Sequence, residues 1–415
     1  MFIKRHLDNG IPVVMEQLKN FRSVILGIWV KVGARNEIPA QNGVSHFLEH
    51  MFFKGTKKRT ATDIAIAIDS MGGDLNAFTS RENTAFYVKV LDEYIEKGVE
   101  LLSDIFLHSS FDKDELEKEK GVIIEEVKMV EDTPDDYIHD LFSRTIWGET
   151  GIGQPVLGRR DSIKAFTRDD LMGHVRKYYG TAETVVACAG NFDPDTVVGL
   201  LNHHLGSLRR GSEPEMFSPP CFNSGVDVHP KDLSETHICL GVEGLPHASK
   251  DRYAITLLNS ILGSSVSSRL FQEIREKKGY AYSIFSFISS YVDTGFWAVY
   301  AGTGRKKAVT VTEMIIREMR ALHETITAEE LGRAKDQLRG NIILGLESTS
   351  NRMQSIARQE IYYHRYFSLK EVMKDIDSVT LPQAKDLSHR LINQGKMSMV
   401  LLGRAKEEDF KGLLG

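Results

Sequence analysis

His46, Glu49 and His50 fall within one short stretch, His46-Phe47-Leu48-Glu49-His50. A helix turns about 100° per residue, so the two histidines at i and i+4 share a face, with the glutamate beside them. Imidazoles at that spacing suit Zn²⁺, and an adjacent carboxylate is placed to take a proton from water at the metal. A third ligand is needed. Glu119 and Glu126 lie seven residues apart, so both project from nearly one face of a second helix. Val122, Ile123 and Val130 share that face, and burying an unpaired carboxylate among them would cost on the order of several kcal/mol. A metal held by His46 and His50 would be its partner. Glu125 sits roughly 120° around the helix from Glu119, which makes Glu126 the expected ligand. His46, His50 and Glu126 would leave a fourth position open, the arrangement of a catalytic rather than a structural zinc. Glu119 is the expected orienting residue behind the ligands. Cobalt or manganese can occupy the same ligands.

The rest of the chain must build these two helices and bring their faces together. The pattern predicts a hairpin over 2–14 around Asp8-Asn9-Gly10, where Asn-Gly tolerates positive φ, and a strong strand over 24–32. The motif helix follows inside 41–55, with Asn42 as expected N-cap and Gly55 as its stop. A helix over 62–71, strands over 74–79 and 84–90, and a helix over 93–107 come next. Asp112 and Glu115 are expected to form a capping box opening the carboxylate helix, which Thr133-Pro134 closes. A helix over 169–179 and a buried strand over 185–189 complete the first half.

Beyond the proline-bearing stretch 211–225 the order recurs. Strand 237–242 matches 24–32, helix 253–262 stands where the motif helix stood, and 397–402 before Gly403 echoes 185–189 before Gly190. In this alignment Ala254, Leu257 and Leu258 replace His46, Glu49 and His50, and Ala334 and Asn341 replace Glu119 and Glu126. The expected organisation is a catalytic metal-binding domain over 1–210, a linker over 211–225 and a homologous non-catalytic domain over 226–415. Each is expected to be α+β, a mainly antiparallel sheet with helices packed on it.

The chain has 415 residues, enough for two cores, with 52 basic and 57 acidic side chains and a net charge of −5. That balance gives no footing for nucleic acid. Cys188, Cys221 and Cys239 form no C-x-x-C pair and cannot all pair with one another, which argues against a disulfide framework. Charges at the N-terminus and the lack of a membrane-length apolar run predict a cytoplasmic chain without a membrane anchor. His203-His204 has no carboxylate at matching spacing nearby and reads as a surface or helix-end pair rather than a second site. Gly151-Ile152-Gly153 lacks the third glycine and preceding strand of a dinucleotide loop.

The motif, with Glu126 seventy-six residues beyond His50 and Glu119 before it, resembles the M16 metallopeptidases, which include mitochondrial processing peptidase, pitrilysin and insulin-degrading enzyme. Their H-x-x-E-H pattern is the inverted form of the commoner zinc-protease motif. The similarity extends through Gly73-Asp74-Leu75-Asn76-Ala77-Phe78-Thr79 and Ser268-Arg269-Leu270-Phe271-Gln272-Glu273-Ile274-Arg275, and the length is like that of the short, processing-peptidase-like branch. The resemblance implies a zinc metalloendopeptidase with one Zn²⁺ per chain, acting on extended or unfolded peptides through metal-activated water, with Glu49 as general base. It implies that Asn76, Ala77 and Phe78 lie on an edge strand that takes the substrate as an added strand, and that Arg275 and Tyr282 contact it from the non-catalytic half. It also implies that the two domains form half of a clamshell chamber, completed in a homodimer. The glycine-rich loop of the mitochondrial non-catalytic subunit is not evident. The alternative is a catalytically silent peptide-binding or assembly subunit acting with another chain. Relatives of that kind usually lose motif residues, and here all of them persist.

Overall fold

Apolar side chains fill both faces of the strand Ser23–Val30, so it must lie inside a sheet covered on two sides. The computed structural model, which describes residues 1–149, 151–211 and 217–414, places it there. Strands β1 (Phe2–His6), β2 (Pro12–Gln17), β3 (Ser23–Val30), β4 (Asp74–Thr79), β5 (Thr84–Leu91) and β6 (Thr184–Gly190) form one sheet in the order β1-β2-β6-β3-β5-β4. Pairing is antiparallel except between β2 and β6. β4 is therefore an edge strand.

The second half builds its own sheet from β7 (Gly225–His229), β8 (Glu235–Glu243), β9 (Ala281–Ser290), β10 (Gly295–Gly304) and β11 (Met397–Leu402), ordered β7-β11-β8-β10-β9. Its one parallel pair, β7 with β11, matches β2 with β6. The two sheets thus share a strand order, to which the first adds β1. Both are mixed α+β units.

The boundaries expected at 210 and 226 need correction, because each half covers one face of the other half's sheet. The helix Pro134–Trp147 packs Phe142 and Trp147 against Phe296 of β10, at ring separations of 5.3 and 5.5 Å. The helix Thr349–Tyr363 returns to the first sheet, where Met353, Ile356 and Ala357 close over Val14, Ile25, Trp29, Ala85, Val185, Ala187 and Ala189. One compact unit comprises Met1–Met129, Thr150–Met216 and Gly345–Tyr366; the other comprises Val130–Glu149, Phe217–Leu344 and Phe367–Gly415. The physical reason is that a sheet apolar on both faces needs two layers of cover. Of the expected linker, 212–216 lie outside the described residues, and 217–224 form neither helix nor strand. Cys188 and Cys239 are buried and unpaired, and Cys221 is exposed and unpaired. Among the described residues no helix is long and apolar enough to cross a membrane.

Candidate metal centre

The motif helix, Val44–Phe52, turns Phe47, Leu48, Met51 and Phe52 into the core beneath the sheet, which leaves Glu49 and His50 on its partly open side. Its start differs from expectation. Gly43 is the N-cap, with φ of 97°, and a Cβ there would lie 2.7 Å from Gly158 Cα. Asn42 instead donates through Nδ2 to Glu37 Oε2 at 3.0 Å and to the Pro155 carbonyl at 3.0 Å. The Glu37 carboxylate does the capping: it accepts the Gly43 N–H at 2.7 Å and the Ser45 N–H at 2.8 Å. Glu37 is buried, which raises its pKa against the lowering effect of these donors, and its two oxygens satisfy N–H groups that the first turn of the helix leaves free. Gly55, with φ of 117°, turns the chain after the helix has ended at Phe52.

The carboxylate helix is Lys113–Asp132, anchored by buried Leu116, Ile123 and Val127. Asp112 Oδ1 accepts the Asp114 and Glu115 N–H groups at 2.9 and 3.2 Å. The Glu115 carboxylate pairs with Lys118 at 2.7 Å, so the cap is one-sided rather than the expected box. Val122 is 45% exposed and does not share the buried face with Ile123.

The two helices bring together His46, His50 and Glu126, whose ligand atoms all lie within 4.8 Å of one another. Glu126 Oε2 is 3.7 Å from His46 Nε2 and 3.5 Å from His50 Nε2. Ligand atoms about 2.1 Å from a tetrahedral zinc stand about 3.4 Å apart, so the residues fit such an ion. Burial, with a smaller effect from the His50 charge, lowers the His46 pKa to about 3 and keeps that imidazole neutral, as a ligand must be. Glu119 Oε2 accepts a hydrogen bond from His50 Nδ1 at 3.0 Å, and its Oε1 lies 2.5 Å from Lys54 Nζ. Glu49 lies beside Thr79 of β4, whose polar groups lower its pKa, while burial has the larger effect and raises it. Its Oε2 is buried without a hydrogen-bond partner.

Asn76, Ala77 and Phe78 lie on β4, with Ala77 buried and Asn76 exposed, and β4 has one unpaired edge. Arg275 and Tyr282 belong to the second unit. Arg275 lies over the Phe271 ring at 4.7 Å, and Tyr282 stands 72% exposed on the edge strand β9. His203 and His204 end the helix Pro194–Leu205. Sequence reasoning missed Glu37, Lys54 and Thr79. Lys54 follows His50 by four residues, a spacing that could have flagged it; Glu37 sits in an irregular segment, where periodicity carries no signal.

His174 lies beneath the first turn of the motif helix, its Nε2 3.5 Å from Ser45 Oγ. Burial, chiefly, and the Lys177 charge lower its pKa to about 3. The unfolded chain, with histidine near its ordinary value of about 6.5, takes up this proton first. Stability of the metal-free protein should therefore be full above pH 6.5 or so, and fall by about 1.4 kcal/mol per pH unit for each such histidine as pH drops below it. Urea titrations at several pH values should show this slope, reduced in His174→Phe. An unchanged slope in the variant would remove His174 from the account.

Paired imidazoles and a carboxylate on one side, with a second, non-ligating carboxylate beside them, define the zinc-dependent peptidases of the inverted motif. Residues 12–160 match the family description "Insulinase (Peptidase family M16)", and residues 165–338 match "Peptidase M16 inactive domain". The chain belongs to family M16, the zinc metallopeptidases. It is 39% identical over 394 residues to a Bacillus subtilis (strain 168) protein described as the uncharacterized zinc protease YmxG, covering 94% of this chain and 96% of that one. An uncharacterized zinc protease of Mycobacterium leprae (strain TN) is 40% identical over 403 residues, covering 95% of this chain and 90% of that one. The crystal structure of a Helicobacter pylori protease shares the fold, with a TM-score of 0.90 at 24% identity over 97% of this chain and 99% of that one.

Proposed function

We propose that this chain is a metalloendopeptidase that hydrolyses extended or unfolded peptides at a single zinc held by His46, His50 and Glu126. The observation that carries the reading is the convergence of those three ligand atoms beside a buried Glu49 oxygen without a partner. Zinc bound there supplies a Lewis acid that polarises a carbonyl and lowers the pKa of water to about 7. His46 offers a neutral nitrogen. His50 donates an Nδ1–H hydrogen bond to Glu119 and keeps that proton, which leaves Nε2, on the side of Glu126, as the nitrogen with a free lone pair. Glu49 accepts the proton of the attacking water and passes it to the leaving amine, and burial raises its pKa toward that task.

The free edge of β4 supports a preference for extended substrates. Its unpaired backbone groups lie on the strand that also places Thr79 beside Glu49, and only a chain with its own backbone free can add to them. The test is digestion of an unstructured peptide library by the purified chain. Cleavage should stop on chelation and return with Zn²⁺, and Glu126→Gln should weaken zinc binding by at least about 10- to 100-fold. Cleavage that survives complete metal removal would overturn the proposal.

A further inference from the structure

We propose that Lys54 is a positioning residue of the metal centre, acting through Glu119 on His50. The inference rests on the reading of His50 as a metal ligand. Glu119 is 3% exposed, and a carboxylate removed from water needs both oxygens satisfied. His50 takes one oxygen at 3.0 Å and Lys54 the other at 2.5 Å. The clamp has a simple origin. Lys54 lies four residues past His50, and the carboxylate helix inserts Glu119 between them.

A carboxylate gripped at one oxygen by a cation loses its freedom to rotate. Oε2 then stays on His50 Nδ1, the proton stays on that nitrogen, and Nε2, 3.5 Å from Glu126 Oε2, keeps its lone pair free for a metal. Without Lys54, Oε1 would be left buried with no cation. The carboxylate would turn or draw in water, and the orientation of the His50 ring would loosen. Lys54 also carries a positive charge, whose direct repulsion of a metal works in the opposite sense. The sign of the change on removing it therefore separates clamping from bulk electrostatics.

The experiment is a zinc-affinity cycle, read by competition with a chromophoric chelator, which needs no peptidase activity. Lys54→Met should weaken zinc binding about tenfold, and Lys54→Arg should recover most of the loss. On a Glu119→Gln background, Lys54→Met should change nothing further, because its route is gone. If Lys54→Met folds poorly by thermal melting of the metal-free protein, Lys54→Gln takes its place in the cycle. Unchanged or tighter zinc binding in the single variant overturns the proposal, as does equal weakening on both backgrounds. A wild-type chain that binds no zinc overturns this and the peptidase reading together. A completed cycle without peptide cleavage leaves the Lys54 role standing and sinks only the reaction.

Discussion

Glu49→Gln should lower kcat for peptide hydrolysis by about 10² to 10⁴-fold while the protein keeps its zinc. Glutamine matches glutamate in size and retains an oxygen to face Thr79, so the side chain stays in place. What disappears is the capacity to take a proton. The three ligand atoms come from His46, His50 and Glu126, so zinc affinity should change little. Because the lost interaction operates in the transition state, kcat and kcat/KM should fall together and KM should stay near the wild-type value. Steady-state kinetics on one cleaved peptide, with zinc content measured on the same sample, decides the matter. Full activity in a zinc-loaded variant would remove Glu49 from the proton path, and zinc loss would make it a structural part of the centre.

The elements that carry chemistry were legible because they are helical. His46, Glu49, His50, Glu119 and Glu126 are placed by one angle of about 100° per residue, and local periodicity reports that angle directly. The structure does bring His46, His50 and Glu126 together, with Glu119 against His50. The internal repeat was legible for a related reason: the order of strand, helix and glycine survives in the second half, and the two sheets share a strand order. Other features depend on contacts between distant residues. The parallel pairing of β2 with β6 joins Val13 to Val186, and the buried Glu37 cap reaches the motif helix from an irregular segment. The helix Pro134–Trp147 did leave a local signal in Thr133-Pro134 followed by Asp135 and Asp136, a good helix start, which was read only as the end of the helix before it. Its destination, the second sheet, has no local signal at all.

That exchange of helices makes an energetic claim about a residue far from the metal ligands in sequence. Met353→Asp should destabilise the first unit, which holds His46, His50 and Glu126, by about 3 to 5 kcal/mol. Met353 is fully buried, and its sulfur accepts the Trp29 Nε1–H at 3.3 Å. A Cβ on Gly27 would lie 2.9 Å from that sulfur, so the β3 backbone and the returning helix are already in close contact. Aspartate there would leave a void beside Trp29 and place a charge where Val14, Ile25, Trp29 and Ala357 offer no partner. Met353→Leu keeps the volume and should cost less than about 1.5 kcal/mol, which separates lost packing from a buried charge. Against a typical total of about 5 to 15 kcal/mol, the aspartate variant should unfold at much lower urea and bind zinc in a smaller fraction of molecules. Trp29 fluorescence in Trp147→Phe/Trp297→Phe protein reports the first unit alone. An unshifted Trp29 transition would mean that the returning helix covers the sheet without holding it together.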